Sequence, residues 1–440
     1  MDVYIINCSK ETLYIDNYKG FVDTYIPFED VNFLVGNNST GKTSIVNLIT
    51  LISNPSFWMN PNFNTETIEM GYFDDIVNKK AEEQSVFSVG AEYQQGDTPD
   101  YYLARFCQHN DIPVLKEYQT SHDGYTICIN IDKNVAICQA YKSNRVSFPE
   151  WIDLSEAEEF GEEITLNFPD NTTPPLGVLI NILENKMDSL QSPNEEGNAM
   201  SKHLQSIILD TMQDNMKAFA PIRAKVQRNY DSFRQAFSKE GEHIPVKLKD
   251  IFGSNKGKKY KNIQRKIVDF GKESGLFDDI SIESYTRKSA GPFSVGVVYD
   301  DMQLNIVNVG YGVSQVIPLV VEMAIRRGTW FCMQQPEVHL HPKAQAAFGE
   351  YVYNSFFDSY NKFIIETHSD YMINRFRYCL SKPARLKKKK PVGQILFFER
   401  LGGTNHISII RLNNKGEFVD EIPENYNKFF IDENLKILCF

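Results

Sequence analysis

The sequence contains few cysteines, no long hydrophobic run and no excess of positive charge. Its seven cysteines are scattered over 440 residues without a C-x-x-C pair, which argues against a disulfide framework or a zinc site and favours reduced, buried thiols. No apolar run approaches the length of a membrane span, and the first residues lack the basic region and cleavage site of a secretory signal. These absences predict a soluble, cytoplasmic protein.

The formal net charge of −11 opposes a surface coated in nucleic acid, but the charge is unevenly distributed. Residues 223–266 contain 13 lysines and arginines against four aspartates and glutamates. Two interpretations stay open: the segment follows a phosphate backbone, or it is the solvated face of a helix. The candidate nucleic-acid contacts are Arg223, Lys225, Arg228, Lys256, Lys258 and Lys259.

A glycine-rich loop lies between a predicted strand and a predicted helix near the start of the chain. The apolar run over residues 31–35 is followed by Gly-Asn-Asn-Ser-Thr-Gly-Lys-Thr at positions 36–43, and an apolar helical stretch comes next. This order matches the phosphate-binding pattern G-x4-G-K-[ST] in its strand-to-helix context. Backbone N–H groups and the helix dipole bind phosphate oxygens there, while the lysine adds a charge and the threonine a hydroxyl for Mg2+. The predicted nucleotide contacts are Gly36, Asn38, Ser39, Gly41, Lys42, Thr43 and Ser44.

The hydrophobic pattern divides the chain into three parts. Within residues 1–176, β-branched and aromatic runs at 87–168 predict an antiparallel sheet beside the phosphate-binding loop. Helical periodicity dominates residues 177–290 and predicts an insertion that carries the basic segment. Residues 291–440 return to alternating strands and helices, which predicts a largely parallel α/β core. The predicted fold class is therefore α/β, with one nucleotide-binding head split by a long insertion.

Two apolar strands of the last part end in polar side chains. The first leads into Gln334, Gln335 and Glu337, and the second leads into His368. Because ligands of parallel sheets bind at the carboxyl ends of strands, these residues are candidate site residues. A third segment, which begins at Gly310, places flexible glycines before an apolar helix, and by itself it is typical of a capped helix. Taken alone, a histidine in such a position is usually structural.

Taken in order, these motifs resemble the ABC-type ATPase heads of the RecF, SMC and OLD class. The sequence of residues 336–342 resembles that of the OLD-like AAA ATPases that are common in bacterial anti-phage defence. By this resemblance residues 312–315 are a degenerate signature motif, residues 333–337 the Walker B region and His368 the switch histidine. The resemblance implies a split P-loop ABC-type head with a mixed sheet, an antiparallel β-subdomain and a helical insertion. It also implies that two heads dimerise around ATP and Mg2+, with Ser314 of one head reaching the γ-phosphate held by the other.

The Walker B region departs from that family. Gln334 and Gln335 stand where the family usually has an acidic residue that holds Mg2+ indirectly and a catalytic carboxylate. Glutamine can orient a water molecule, but it cannot act as a general base at neutral pH. One explanation is naturally slow turnover that depends on Glu337, Glu366 or His368. The other is a Glu→Gln change at position 334, engineered to trap the ATP-bound state.

The resemblance implies an ATP-dependent sensor or scaffold of an anti-phage system, whose paired heads control a separate effector such as a nuclease. The roughly 70 residues after His368 contain no acidic D-x-D or H-N-H site, so a nuclease would be a separate chain, as in systems that resemble Septu or PARIS. Two alternatives stay open. The chain could be a RecF-like DNA-repair ATPase without a toxic effector, or a nucleotide-binding regulator that does not bind DNA.

Overall fold

The computed structural model describes most of the chain. The described residues are 11–80, 85–94, 99–122, 125–142, 158–169, 176–190, 216–231, 233, 236–253, 258–286, 291–383 and 389–430. They form two compact units. Unit 1 consists of Met1–Glu29, Ser39–Asp214 and Glu399–Ile407, and unit 2 consists of Asp30–Asn38, Asn215–Phe398 and Ser408–Phe440.

Unit 1 is built on an eight-stranded sheet with the strand order β2-β1-β4-β5-β6-β7-β8-β9, in which all neighbouring strands are antiparallel. The strands are β1 (Glu11–Asp16), β2 (Thr24–Phe28), β4 (Val86–Gln94), β5 (Pro99–His109), β6 (Ile112–His122), β7 (Tyr125–Asp132), β8 (Val135–Lys142) and β9 (Glu158–Asn167). The helices are α1 (Lys42–Ile52), α2 (Pro55–Met59), α3 (Phe73–Ile76) and α4 (Leu176–Leu190). The predicted antiparallel sheet is confirmed.

Aromatic side chains hold the buried face of this sheet. Phe87 and Phe106 are directly paired across β4 and β5, and their rings stack with centroids 5.2 Å apart. Phe63 packs edge-on against both rings, at 5.5 Å from Phe87 and 5.1 Å from Phe106. Such aromatic pairs stabilise a sheet by burying a large area with a defined geometry. The aromatic runs of the sequence therefore fix which face of the sheet is buried.

The six-stranded sheet, most of whose residues belong to unit 2, has the order β10-β14-β15-β3-β16-β17, and its first five strands are parallel. These strands are β3 (Val31–Gly36), β10 (Met216–Phe219), β14 (Trp330–Gln334), β15 (Lys362–Glu366), β16 (Gly393–Leu401) and β17 (Thr404–Arg411). The helices of unit 2 are α5 (Ile244–Phe252), α6 (Lys258–Ser274), α7 (Tyr311–Ile325), α8 (Pro342–Ser359) and α9 (Asp370–Ser381). A second, antiparallel sheet contains β11 (Asp279–Ser284), β12 (Phe293–Tyr299) and β13 (Met302–Asn305). The predicted parallel α/β core is confirmed.

The predicted helical insertion, residues 177–290, also contains two strands, β10 and β11. Its residues also supply β10 to the parallel sheet, where Met216–Phe219 pairs with Trp330–Met333 of β14. A four-residue strand is too short for its own periodicity to reveal it, and its partner lies more than a hundred residues away. The boundaries at residues 176/177 and 290/291 stay a prediction. The five cysteines in the described part of the chain are free thiols, as the sequence predicts.

A buried network of Glu322, His243 and Arg326 connects α7 to the segment before α5. Glu322 is completely buried, and its carboxylate accepts a bond from His243 Nε2 at 3.0 Å and another from Arg326 Nε. His243 Nδ1 accepts the Ser238 N–H at 3.1 Å, so this geometry requires the tautomer that carries its proton on Nε2. Burial raises the pKa of Glu322, but the bond from His243 and the charge of Arg326 outweigh it, so the pKa lies below its ordinary value.

We predict that Glu322→Gln lowers the free energy of unfolding by about 3–5 kcal/mol at neutral pH, because it leaves buried groups without their charged partner. The lowered pKa of Glu322 means that its contribution is present above the unfolded-state pKa, and it is lost as the pH falls through the folded-state value. Urea unfolding between pH 7 and pH 3 should therefore show a smaller pH dependence in the variant. Glu421→Gln, at an exposed position, is the control. Equal pH dependence of variant and parent would contradict the network.

Helices α8 and α9 approach each other closely at Gly349. A Cβ atom placed on Gly349 would lie 2.2 Å from the carbonyl oxygen of Met372, which is a backbone atom of the neighbouring helix. A glycine inside a helix ordinarily costs roughly 0.5–1 kcal/mol relative to alanine. The close helix contact therefore opposes the helix propensity at this position.

We predict that Gly349→Ala destabilises the protein by about 1–3 kcal/mol, since overpacking outweighs the gain in helix propensity. Asn354→Ala, on the same helix at a half-buried position, should be neutral or stabilising. Denaturant midpoints of both variants make the comparison. A stabilised Gly349→Ala protein would mean that the two helices can separate at no cost.

Candidate nucleotide site

The carboxyl ends of three neighbouring parallel strands meet at one edge of the sheet in unit 2. Strand β3 ends at Gly36, β14 leads into Gln335, and β15 leads into His368. The backbone ladder continues beyond the strands, because Gln335 N–H donates to the Glu366 carbonyl at 2.8 Å and Thr367 N–H donates to the Leu34 carbonyl at 3.0 Å. The structure thus brings together the start of the phosphate-binding loop, the predicted Walker B region and the predicted switch histidine, His368.

The phosphate-binding loop has the backbone that its glycines make possible. Gly36, Ser39 and Gly41 all have positive φ angles, of 144°, 63° and 94°. A side chain at Gly36 would also clash with β16, because its Cβ would lie 2.0 Å from the Phe398 carbonyl oxygen. Helix α1 begins at Lys42 without a side-chain cap, an arrangement that suits an anion at the helix N-terminus.

The side chains of this loop differ in exposure. Asn38, Ser39 and Thr43 are exposed, whereas Lys42 is 4% exposed. Ser44 is half-buried, and its carbonyl oxygen accepts the hydroxyl of Tyr18 at 3.1 Å. The buried tyrosine therefore supports the first turn of α1 within unit 1.

The Walker B region turns sharply after β14. Gln334 and Gln335 are half-buried, and Gln335 has a φ of 42°, which is a strained value for a residue other than glycine. Glu337 follows, nearly buried, and its Oε1 accepts the backbone N–H of His368 at 2.7 Å. Burial raises the pKa of Glu337, while the bond from His368 N–H partly offsets that rise. The carboxylate therefore joins the Walker B loop to the segment that follows β15.

The three histidines of this region have different environments. His341 caps α8, since its Nδ1 accepts the Ala344 N–H at 3.4 Å, which gives this residue a structural role. The exposed His339 packs its ring against Tyr311, with centroids 4.7 Å apart. The half-buried His368 packs near Phe429, with centroids 5.9 Å apart. His368 is thus the histidine that lies at the end of a parallel strand.

The signature segment forms the first turn of α7. A Cβ atom at Gly312 would lie 2.5 Å from the His339 carbonyl oxygen, so this glycine lets α7 approach the loop after β14. Ser314 is 5% exposed, and its hydroxyl donates to the Tyr311 carbonyl at 2.7 Å within the same helix. Its predicted contact with the γ-phosphate in a second head stays a prediction.

The prediction that Arg223 contacts nucleic acid is wrong. Arg223 is 2% exposed, so its guanidinium cannot lie on a surface that follows a phosphate backbone. Lys225 and Arg228 are exposed, as that role requires. Lys256 lies outside the described residues, and Lys258 and Lys259 belong to α6 with their side chains outside the described part. The Arg223 backbone N–H donates to Gln315 Oε1 of the distant helix α7, a contact that the sequence does not reveal.

The described residues offer few side chains that could bind a metal ion. Within that part of the chain, no group of three or more histidines, cysteines, aspartates or glutamates is placed to hold a metal ion. The candidate Mg2+ contacts from the sequence are the hydroxyl of Thr43 and the amide of Gln334. Among the described helices, none has both the length and the apolar character that crossing a membrane would need.

Comparison with solved structures gives matches to SMC head domains. One is an SMC head bound to the C-terminal winged-helix domain of ScpA, with 10% identity, a TM-score of 0.45, and coverage of 92% of this chain and 98% of that one. Another is the Pyrococcus furiosus Smc head with an extended coiled coil bound to the C-terminal domain of ScpA, with 11% identity, a TM-score of 0.42 and coverage of 98% of both chains. The SMC head domain from Thermotoga maritima has 11% identity, a TM-score of 0.35, and coverage of 92% and 99%.

No curated protein matches this sequence. A family model described as an AAA ATPase domain matches residues 10–373. That span includes the phosphate-binding loop, helix α7 with the predicted signature segment, strand β14 with the predicted Walker B region, and His368. Because the match covers most of the chain, the protein belongs to the AAA ATPase domain family.

Proposed function

We propose that this chain is an ABC-type ATPase head that binds ATP with Mg2+, pairs with a second head around the nucleotide and hydrolyses ATP slowly. The observation that carries the proposal is the meeting of three parallel strand ends, after which Gly36, Gln335 and His368 follow at one sheet edge. Ligands of parallel α/β sheets bind at such an edge. The loop backbone and the uncapped start of α1 fit a phosphate group.

Different groups of the chain bind the phosphates and the Mg2+ ion. The loop N–H groups and Lys42 hold the phosphate oxygens, and the low exposure of Lys42 strengthens its electrostatic contribution. The Thr43 hydroxyl and the Gln334 amide oxygen are oxygen donors of the kind Mg2+ accepts, although neither carries a charge. When bound, Mg2+ would neutralise the charge that develops on the phosphates.

The proposed slow turnover is supported by the chemistry of the side chains in the predicted Walker B region. Gln335 can orient a water molecule through its amide, but it cannot take the proton. Glu337 has one carboxylate oxygen committed to the His368 N–H and lies buried against the loop. The ATP-bound state should therefore persist, which suits a protein that works by holding two heads together.

We predict that Gln335→Glu raises kcat for ATP hydrolysis by about 10²–10⁴-fold, since it supplies the missing general base. The Kd for ATP should stay unchanged, because the backbone of Gln335 is already fixed by its bond to Glu366. Gln334→Glu is the matched variant, and it should tighten Mg2+ dependence with a smaller effect on kcat. Phosphate release measured at saturating ATP separates the two. An unchanged kcat in Gln335→Glu would assign the base to Glu337, Glu366 or His368.

The finer part of the proposal is a sensor or scaffold of an anti-phage system, whose paired heads control a separate effector such as a nuclease. This role is supported by the resemblance of residues 336–342 to the OLD-like ATPases. The second candidate is a RecF-like DNA-binding ATPase, supported by the exposed Lys225 and Arg228 in the basic segment. The two differ in what the ATP-bound chain recruits.

We predict that Lys42→Ala weakens ATP binding by about 10–100-fold, as expected for the loss of charge-assisted bonds, and abolishes ATP-dependent pairing. Lys116→Ala, at an exposed position of β6, is the control and should bind ATP like the parent. The tagged chain is expressed with its genomic neighbours and sized with ATP and Mg2+. A larger complex with a nuclease, lost in Lys42→Ala, supports the sensor. A bare dimer that binds DNA with a steep salt dependence favours the RecF-like candidate.

A further inference from the structure

A buried polar cluster lies beside the sheet edge of unit 2, and the roles described so far leave it unexplained. The cluster consists of Arg223, Gln315 and Glu337, which are 2%, 2% and 9% exposed. They come from three separate segments: the turn after β10, the first helical turns of α7, and the loop after β14. Polar groups this deeply buried are retained only where partners satisfy them.

Several bonds connect the cluster to its surroundings. The Arg223 backbone N–H donates to Gln315 Oε1 at 2.9 Å, and Arg223 Nη1 donates to the Pro221 carbonyl at 3.2 Å. Glu337 Oε1 accepts the His368 N–H at 2.7 Å. The cluster therefore touches the signature helix, the Walker B loop and the switch segment.

Other buried atoms of the same cluster have no hydrogen-bond partner. They are Arg223 Nε and Nη2, Gln315 Nε2 and Glu337 Oε2. Burial lowers the pKa of Arg223 to about 10, and Glu337 is the first opposite charge that acts against this decrease. The guanidinium is therefore still charged at neutral pH, and Glu337 is the carboxylate available to balance it. Arg223 Nε and Nη2 are donors without partners, and Glu337 Oε2 is an acceptor without one, so the two groups are complementary.

We propose that Arg223 is a positioning residue: its guanidinium holds the Oε2 atom of Glu337 through an ordered water, and Glu337 thereby fixes the backbone of His368. Gln315 adds the signature helix to the same unit, because it accepts the Arg223 backbone N–H. The three segments that face the nucleotide edge then move together. This inference rests on the proposed ATPase function only for its effect on turnover, since the geometry can be tested without nucleotide.

The first test observes the His368 amide directly. The full chain is labelled with 15N-histidine, which gives eight histidine amide signals, and His368→Gln assigns the signal of interest. We expect Arg223→Met and Arg223→Lys to move the His368 signal and to speed its hydrogen exchange by at least about tenfold, as a loosened carboxylate weakens the bond. The exposed His406 signal should not move. Arg327→Met, at an exposed position of unit 2, is the matched control and should leave the His368 signal unchanged.

The second test separates positioning from folding. In the Gln335→Glu background, Arg223→Lys should lower kcat by about 10–100-fold with an unchanged Kd for ATP, because a small misplacement of reacting groups has effects of that size. Glu337→Gln should lower kcat by a similar factor, and the double variant should be no worse than either single variant. If Gln335→Glu fails to raise turnover, the proposed catalytic assignment is wrong, and the amide test still decides the role of Arg223.

The outcomes are distinct. A His368 signal that stays in place in folded Arg223→Lys and Arg223→Met proteins overturns the proposal. So do kcat losses that multiply in the double variant, which would mean that the two residues act independently. If Arg223→Met does not fold, Arg223→Lys and Glu337→Gln carry the decision. The double variant Arg223→Met/Glu337→Gln can also be compared with Arg223→Met alone. A higher thermal midpoint in the double variant would support the pairing of the two residues.

Discussion

The parallel pairing of β3 with β15, and of β15 with β14, is the constraint on which the nucleotide edge depends. Backbone bonds continue past the strand ends, from Gln335 N–H to the Glu366 carbonyl and from Thr367 N–H to the Leu34 carbonyl. Because these bonds fix the backbone where the chain leaves the sheet, the side chains that follow have little freedom. A site built on a sheet edge in this way is more rigid than one carried by free loops.

Buried polar side chains reinforce the same sheet. Asn32 of β3 donates to the Phe363 carbonyl at 2.9 Å, and its side-chain oxygen accepts Gln394 Nε2 of β16 at 2.7 Å. Asp30 Oδ2 also accepts the Val392 N–H at 2.9 Å, just before β16 begins. These bonds run across three parallel strands whose other buried side chains are mostly apolar, so they restrict the register in which the strands can pair. The phosphate-binding loop starts from the strand in the middle.

Close backbone approach is the second recurring device of unit 2. Gly36, Gly312 and Gly349 each face a carbonyl oxygen of a neighbouring element, at distances that exclude a side chain. Gly36 brings the start of the loop against β16, and Gly312 brings the signature helix against the loop after β14. Interiors pack too densely to yield at such points. These glycines therefore serve the packing of the edge as much as local chain flexibility.

The sequence by itself determined most of the elements and the order of the motifs. The strand-loop-helix context of residues 36–43, the antiparallel sheet and the parallel core can be predicted from local patterns. These patterns are the hydrophobic periodicity and the turn-forming residues of consecutive stretches of the chain. Tertiary structure decided what those patterns could not express. It paired β10 with a distant strand, assigned His341 to a helix cap and Glu337 to the His368 N–H, and buried Arg223 beside Gln315. Burial and partner choice depend on segments far apart in the chain, so the charge of an arginine is readable in sequence while its environment is not.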